Sequence, residues 1–197
     1  GYVHDGQVAG YGLVDSVREA DRSSFARYEY PSALPLEIQM RMIDVARRAV
    51  LEIGLDNCPF NAEFFYDSTA DHVYLLEVNP RLSQSHADLF QKVHGTSHFQ
   101  IMLALALGQR PRPLEKGGAY NVAANFMMRA YSDGVVRRAP GEADLARLAA
   151  EQPDTKVKLL ASQGRRLSDL HAQDSYSFEL ANVFVGGRDR LDLLERY

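Results

Sequence analysis

The sequence predicts an α+β fold in which antiparallel strands and helices form two successive domains. Apolar residues between positions 36 and 53 recur at intervals of three and four, as in a helix with one buried face. Residues 61–79 contain two strand-like runs around a polar turn, as in a β-hairpin. The chain has 197 residues, of which 46% are hydrophobic and 24% charged, so it is large and apolar enough to bury a core.

The composition excludes several classes of protein. With 22 Lys and Arg against 26 Asp and Glu, the formal net charge is -4, and no basic surplus favours nucleic acid or an anionic membrane. The longest apolar run, residues 101–107, is far shorter than the ~20 residues that cross a bilayer. The one cysteine, Cys58, cannot form an internal disulfide, so we expect a reducing, cytoplasmic location. The oligomeric state stays open, and a homo-oligomer is one option.

The first long element is a helix over residues 36–53. Pro35 precedes it and Gly54 follows it, which is the expected asymmetry of helix ends. Residues 2–17 precede this helix and read as two short strands around the turn Asp5–Gly6. The predicted buried stripe of the helix consists of Leu36, Met40, Ile43, Ala46, Val50 and Ile53.

A hairpin and two short helices are expected next. The strands cover residues 61–66 and 73–79, with a turn over residues 67–71, and Pro80 ends the second strand. Helices then cover residues 85–93 and 98–107, and Ser97 and Gly108 are the expected caps of the second one.

Residues 110–118 are rich in Pro and Gly and form the expected linker, which divides the chain into domains at 1–113 and 114–197. The second domain contains four predicted strands and two predicted helices. The strands cover residues 120–129, 135–138, 156–160 and 176–185, and the helices cover residues 142–150 and the segment from 189 onward.

The hairpin carries the residues that point to chemistry. If it is centred on Ala70, Glu63 lies directly across from Glu77, and a register shifted by two residues would make them diagonal neighbours on the same face. Facing carboxylates repel each other, and a divalent cation would offset the repulsion. Asn79 shares a face with Glu77, so the set supplies only oxygen ligands, which suit Mg²⁺ or Mn²⁺ completed by water and phosphate. Glu63, Glu77 and Asn79 are therefore the candidate metal ligands.

Arg81 follows two residues after Asn79, and its planar guanidinium suits a phosphoryl or carboxylate group. Ser83 and Ser85 stand before a predicted helix start, where free backbone N–H groups favour anions. This combination fits phosphoryl transfer, in which catalysis consists mainly of positioning and charge neutralisation. The alternative from residue spacing alone is a solvated face of glutamates followed by an ordinary Pro-Arg loop.

The strings Phe60-Asn-Ala-Glu-Phe64 and Leu76-Glu-Val-Asn-Pro-Arg81, followed by a helix that leads to Gly95, resemble the ATP-grasp superfamily. The resemblance covers roughly residues 2–113 and implies the C-terminal lobe of that fold, an antiparallel sheet with helices. It also implies that Glu63, Glu77 and Asn79 hold magnesium and with it ATP, and that Arg81 is the catalytic cation beside the reacting phosphate.

Residues 174–181 and 184–190 are similar to the small α+β C-terminal domain of biotin carboxylase-like and amino-acid-ligase-like members. Biotin carboxylases carry a bicarbonate-activating Glu four residues after the motif arginine, whereas this chain has Ser85, followed by His86. We therefore expect a carboxylate–amine ligase that acts through an acyl phosphate, with Ser83, Ser85 and His86 contacting small-molecule substrates. The alternatives are a carboxylase-like or carbamoyl-phosphate-synthase-like enzyme and a non-catalytic interaction module.

The glycine-rich phosphate loop of the family and its lysines would lie upstream of the matched residues. The chain does not contain them, so we expect a fragment that lacks most of the adenine pocket and is inactive alone.

Overall fold

The computed structural model describes residues 1–170, 174 and 176–197. Two compact units make up the chain, and they do not follow chain order. Unit 1 consists of Gly1–Leu13 and Pro31–Gly118, and unit 2 consists of Val14–Tyr30 and Ala119–Tyr197. The described strand pairings are antiparallel, which confirms the α+β class.

Unit 1 contains two small sheets and three helices. The strands β1 (Tyr2–His4) and β2 (Gln7–Ala9) pair around Asp5 and Gly6, whose φ angles of 49° and 70° confirm the predicted turn. β5 (Cys58–Pro59) pairs with the other edge of β1. β6 (Asn61–Asp67) and β7 (His72–Asn79) form the predicted hairpin. The elements are β1 (Tyr2–His4), β2 (Gln7–Ala9), α1 (Leu36–Glu52), β5 (Cys58–Pro59), β6 (Asn61–Asp67), β7 (His72–Asn79), α2 (Ala87–His94) and α3 (Phe99–Ala106).

The core of unit 1 lies between α1 and the strands. Its buried residues include Val3, Ala46, Val50 and Phe60, against which Ala62, Phe64 and Val78 of the hairpin pack. The predicted stripe of α1 is wrong in part, since Leu36, Met40 and Ile53 are 72%, 54% and 61% exposed. Ala46 and Val50 of the predicted stripe are buried, and Met42 and Ile38, one and two turns before Ala46, complete the line that faces the core.

The hairpin contains one β-bulge, which sets the orientation of its outer half. Phe64 pairs with Leu75, but the next pair is Glu63 with Glu77, so Leu76 is an extra residue in β7. Leu75 and Val78 are both partly buried although they are three positions apart, which a regular strand does not allow. The bulge therefore lets both residues face inward and leaves Leu76 63% exposed.

Unit 2 is built on a five-stranded sheet in the order β3-β4-β8-β10-β9. Its core includes Ala124, Phe126, Val185 and Leu193. The elements are β3 (Asp15–Arg18), β4 (Phe25–Tyr30), β8 (Val122–Ala130), α4 (Glu142–Glu151), β9 (Lys156–Leu159), β10 (Phe178–Gly187) and α5 (Arg190–Arg196).

Two features of unit 2 differ from the sequence predictions. The sequence analysis did not predict β4. This strand pairs with β8, from Arg27 opposite Phe126 to Tyr30 opposite Ala123. Residues 14–30 therefore belong to unit 2, whereas the predicted domain boundary assigns them to the first domain. The predicted strand over residues 135–138 is wrong, since Val135 forms only an isolated bridge with Arg166. Ser175, which belongs to the run of residues 174–181 used for the resemblance to a C-terminal domain, lies outside the described residues.

Substitutions on the two sides of the bulge test the register. We expect Val78→Ala to lower the free energy of unfolding by about 1–2 kcal/mol, because it removes methyl groups from the core. Leu76→Ala should change it by less than about 0.5 kcal/mol, since the side chain is exposed. Urea unfolding of both variants measures the difference. In a regular strand residues 76 and 78 would share a face, so equal losses would contradict the bulge.

Candidate functional site

The structure confirms the predicted pairing of the two glutamates. Glu63 in β6 lies directly opposite Glu77 in β7, and Asn61 lies opposite Asn79 at the end of the same ladder. Both glutamate side chains are exposed, on the face turned away from the core. The pair Ala62 and Val78, which lies between the glutamate pair and the asparagine pair, packs inward. The two carboxylates therefore meet on one open face of the hairpin.

The carboxylates repel each other and have no cationic partner at bonding distance. Partial burial, followed by the charge of Glu77, raises the pKa of Glu63, and the charge of Arg81 opposes this rise. Within the described part of the chain, neither Glu63 nor Glu77 forms an ion pair within 4 Å. The pair is thus an uncompensated acidic site of the kind that a cation would stabilise.

Asn79 completes an oxygen-donor set with the two glutamates. Its Nδ2 donates a hydrogen bond of 2.6 Å to Oε1 of Glu77, which orients the amide and leaves its carbonyl oxygen available for a metal ion. No cluster of three or more His, Cys, Asp and Glu suited to a metal occurs among the described residues. Two carboxylates and one amide fit Mg²⁺, which proteins commonly bind through one or two carboxylates together with substrate phosphates.

Arg81 begins the turn that follows β7. Its backbone N–H donates to the carbonyl of Asn79 at 2.8 Å, so the arginine starts immediately beside the acidic face. The side chain is exposed, and its charge reaches Glu63. A guanidinium in this position is able to neutralise an anion held next to the glutamates.

Ser83, Ser85 and His86 lie in the next turn. A 3-10 turn over Gln84–His86 leads directly into α2, which confirms the predicted helix start. The two serine Oγ atoms are 2.9 Å apart, and the N–H of His86 donates to the carbonyl of Ser83 at 3.2 Å. Burial, with a smaller contribution from His98, lowers the pKa of His86 to about 4, so its imidazole is neutral at pH 7. The predicted substrate residues thus form one compact turn.

His98 is the residue of this region that sequence reasoning missed. The sequence pattern assigns His98 no role beyond the start of the predicted helix over residues 98–107, but its side chain is only 2% exposed. Its ring stacks on Phe90 with centroids 4.9 Å apart, and it contacts Tyr11 edge-on at 6.3 Å. Tyr11 comes from a distant segment and Phe90 from the preceding helix, so the burial of His98 had no signal in the sequence spacing.

Three apolar side chains extend the glutamate-bearing face. Phe65, Tyr74 and Leu76 are 56%, 46% and 63% exposed. Phe65 and Tyr74 are paired across the ladder with ring centroids 6.3 Å apart. The open face therefore combines an acidic end with an apolar surface.

None of the described helices is both long and apolar enough to span a membrane.

Comparisons with known proteins relate part of the chain to a family of ATP-binding domains. A protein family described as the ATP-binding domain of the carbamoyl-phosphate synthase L chain matches residues 29–113, which include the hairpin and the turn after it. No curated protein sequence matches the chain.

Several solved structures share the fold. Phosphoribosylglycinamide synthetase from Anaerococcus prevotii superposes with a TM-score of 0.70 at 11% identity, over 99% of this chain and 48% of that one. N5-carboxyaminoimidazole synthase from Aspergillus clavatus, in complex with ADP and 5-aminoimidazole ribonucleotide, gives 0.65 at 18% identity, over 99% and 47%. The biotin carboxylase domain of a single-chain bacterial carboxylase gives 0.55 at 21% identity, over 88% and 38%.

The family match relates residues 29–113, including the acidic hairpin, to an ATP-binding domain. The family match and the shared fold support the resemblance to the ATP-grasp superfamily. The chain spans about half the length of the first structures that it matches. The individual roles of Glu63, Glu77, Asn79 and Arg81 stay predictions.

Removal of one carboxylate should stabilise the metal-free protein. At neutral pH, Glu77→Gln should raise the free energy of unfolding by about 0.2–1 kcal/mol, because it ends the repulsion across the ladder. The repulsion requires both carboxylates to be ionised, so it is absent at a pH below the ordinary glutamate range. Because the pKa of Glu63 is raised in the folded protein, the repulsion and the stability it costs grow as the pH rises through that raised pKa. Urea unfolding of both proteins between pH 4 and about pH 7 measures the effect. A difference that does not grow with pH would contradict the pairing.

Proposed function

We propose that this chain is part of an ATP- and Mg²⁺-dependent ligase that joins a carboxylate to an amine through an acyl phosphate. The single observation that carries the proposal is the facing pair Glu63 and Glu77, with Asn79 beside it and Arg81 at the start of the next turn. An unneutralised carboxylate pair next to an arginine suits a group that contains both a cation and phosphate.

Glu63, Glu77 and Asn79 would hold Mg²⁺ or Mn²⁺ in this proposal. When bound, the ion supplies positive charge that neutralises the phosphates of ATP. The exposed side chains of Phe65, Tyr74 and Leu76 support a nucleotide on the same face, because they offer an apolar surface to a planar base. ATP binding agrees with the matched family, which is an ATP-binding domain.

The reaction would proceed in two steps. A carboxylate oxygen of the substrate attacks the γ-phosphorus of ATP, the bond to the β-phosphate oxygen breaks, and ADP leaves. The amine nitrogen then attacks the acyl carbon, the carbon–oxygen bond to phosphate breaks, and the amine loses a proton. Arg81 would neutralise the transferring phosphoryl group, as preorganised cations do in such transfers.

The turn after Arg81 would contact the substrates. Ser83 and Ser85 offer hydroxyl groups that are able to donate to a carboxylate, and the neutral imidazole of His86 adds no charge. Ser85 stands where bicarbonate-using members of the family are expected to carry a Glu, and a serine is not a base at neutral pH. This favours a carboxylate–amine ligase over a carboxylase.

The remaining parts of the nucleotide site would come from elsewhere in a longer protein. The matched structures are about twice as long as this chain, which supports the expectation of a fragment that is inactive alone. Activity is therefore to be tested on the intact protein. A cytoplasmic location fits the reducing environment that Cys58 indicates, and it remains part of the proposal.

Glu77→Gln in the intact protein should lower ATP-dependent ADP release at least about 100-fold, because it removes a metal ligand while keeping the shape of the side chain. The matched control is Glu52→Gln, an exposed glutamate at the end of α1, which should keep wild-type activity. A coupled assay for ADP measures both, and circular dichroism checks the fold. Wild-type turnover by the Glu77 variant would contradict the proposal.

The same assay separates the alternatives. ADP release triggered by amino acids or other carboxylates together with an amine supports the ligase, whereas release triggered by bicarbonate indicates a carboxylase-like enzyme. A protein that binds neither Mg·ATP nor Mg·ADP in calorimetry would be a non-catalytic interaction module.

A further inference from the structure

Helix α3 carries apolar side chains on two opposite sides. On one side, Ile101 and Leu105 are buried in a cluster with Tyr2. The other side, which we call the outer face of α3, is exposed. Its members, the last of which is the C-cap residue, are Phe99, Met102, Leu103, Ala106 and Leu107. A helix that is apolar all round is normally covered on every side, so this composition calls for a partner beyond those that the described residues provide.

The outer face is continuous and contains no charged or polar side chain. At 3.6 residues per turn, its five members fall within an arc of about 140°, which is as wide as the buried stripe of an ordinary surface helix. Phe99, Met102, Leu103 and Leu107 are 40%, 45%, 59% and 62% exposed. These large side chains therefore form one apolar patch rather than scattered single residues.

The size of the patch indicates which kind of partner covers it. At those exposures, the four large side chains leave on the order of 400 Å² of apolar surface in water. Two separate chains that form a stable complex bury roughly 800 Å² each, which is about twice this area. A domain of the same polypeptide needs less contact area, because covalent linkage keeps it at a high effective concentration. The patch therefore suits a covalently joined partner better than a second copy of this chain.

The solved structures that share the fold leave room for such a partner. This chain covers 51%, 48% and 47% of three of them. We propose that the outer face of α3 is an interdomain contact, covered in the intact protein by an apolar surface of the polypeptide outside these 197 residues. This contact rests on the longer protein that belongs to the proposed function, and it depends on neither the metal site nor the reaction.

Leu103→Lys in the intact protein tests the contact, because it places a charge within the outer face. The control is Gln100→Lys, which adds the same charge at an exposed position of α3 outside that face. Hydrogen–deuterium exchange is measured for both variants. We expect Leu103→Lys to speed exchange at least about tenfold in a segment outside residues 1–197, and the control to leave that segment unchanged. If no outside segment responds, or if both variants give the same response, the proposal is wrong.

The isolated chain shows whether Leu103→Lys acts through the contact or through the fold of unit 1. The side chain is exposed here, so the variant should keep the wild-type melting temperature to within about 1 °C. Sedimentation should show a monomer, and the fluorescence of bound anilinonaphthalene sulfonate should fall at least about twofold in the variant. A dimer that Leu103→Lys dissociates would overturn the proposal in favour of a second copy. Binding to phosphatidylcholine vesicles that the variant abolishes would overturn it in favour of a lipid surface.

Met102→Gln, a milder change on the same face, replaces Leu103→Lys if the lysine variant fails to fold, and the same outcomes then decide. The assay for ADP separates this proposal from the proposed function. An outside segment that responds in a protein without ATP-dependent activity leaves the contact standing and refutes the ligase. Full activity without any responding segment refutes the contact alone.

Discussion

One extra residue in β7 determines which way the candidate site faces. Val78 packs against the core of unit 1 and Leu75 is partly buried, and the bulge at Leu76 allows both side chains to face inward. Complete burial of one aliphatic side chain contributes about 1.5–3 kcal/mol, of which the partly buried Leu75 and Val78 each gain a share, whereas facing like charges cost up to about 1 kcal/mol. Core packing therefore outweighs the repulsion between Glu63 and Glu77 and holds the two carboxylates together on the open face.

The sequence predicted the pairing of the glutamates, although for an incomplete reason. The prediction rests on a hairpin centred on Ala70. In the structure Asp67 pairs with His72, so the turn is centred between Thr69 and Ala70. A regular ladder from that turn would put Glu63 opposite Leu76 and turn Glu77 to the other face. The spacing of three between the inward positions 75 and 78 was the local sign of the bulge.

Features that depend on distant segments were not predictable from local patterns. Helix α1, the hairpin and the start of α2 are encoded by periodicity, turn residues and caps, and they formed where expected. The pairing of β4 with β8 joins residues about a hundred positions apart, and no local signal specifies it. The burial of His98 likewise depends on Tyr11, which lies far away in the sequence. For the same reason the face of α1 that packs inward could not be chosen from spacing alone.

The interleaving of the two units affects how the chain can be divided. A shortened chain that ends at Gly118 would retain β3 and β4 but lose β8, so backbone groups of β4 would be left without partners on an edge open to aggregation. The N–H of Ser32 donates to the carbonyl of Leu13 at 3.0 Å, so the two ends of the 14–30 segment meet within unit 1. Replacing that segment with a tight polar turn is thus a direct route to isolating the unit that carries the acidic hairpin for spectroscopy.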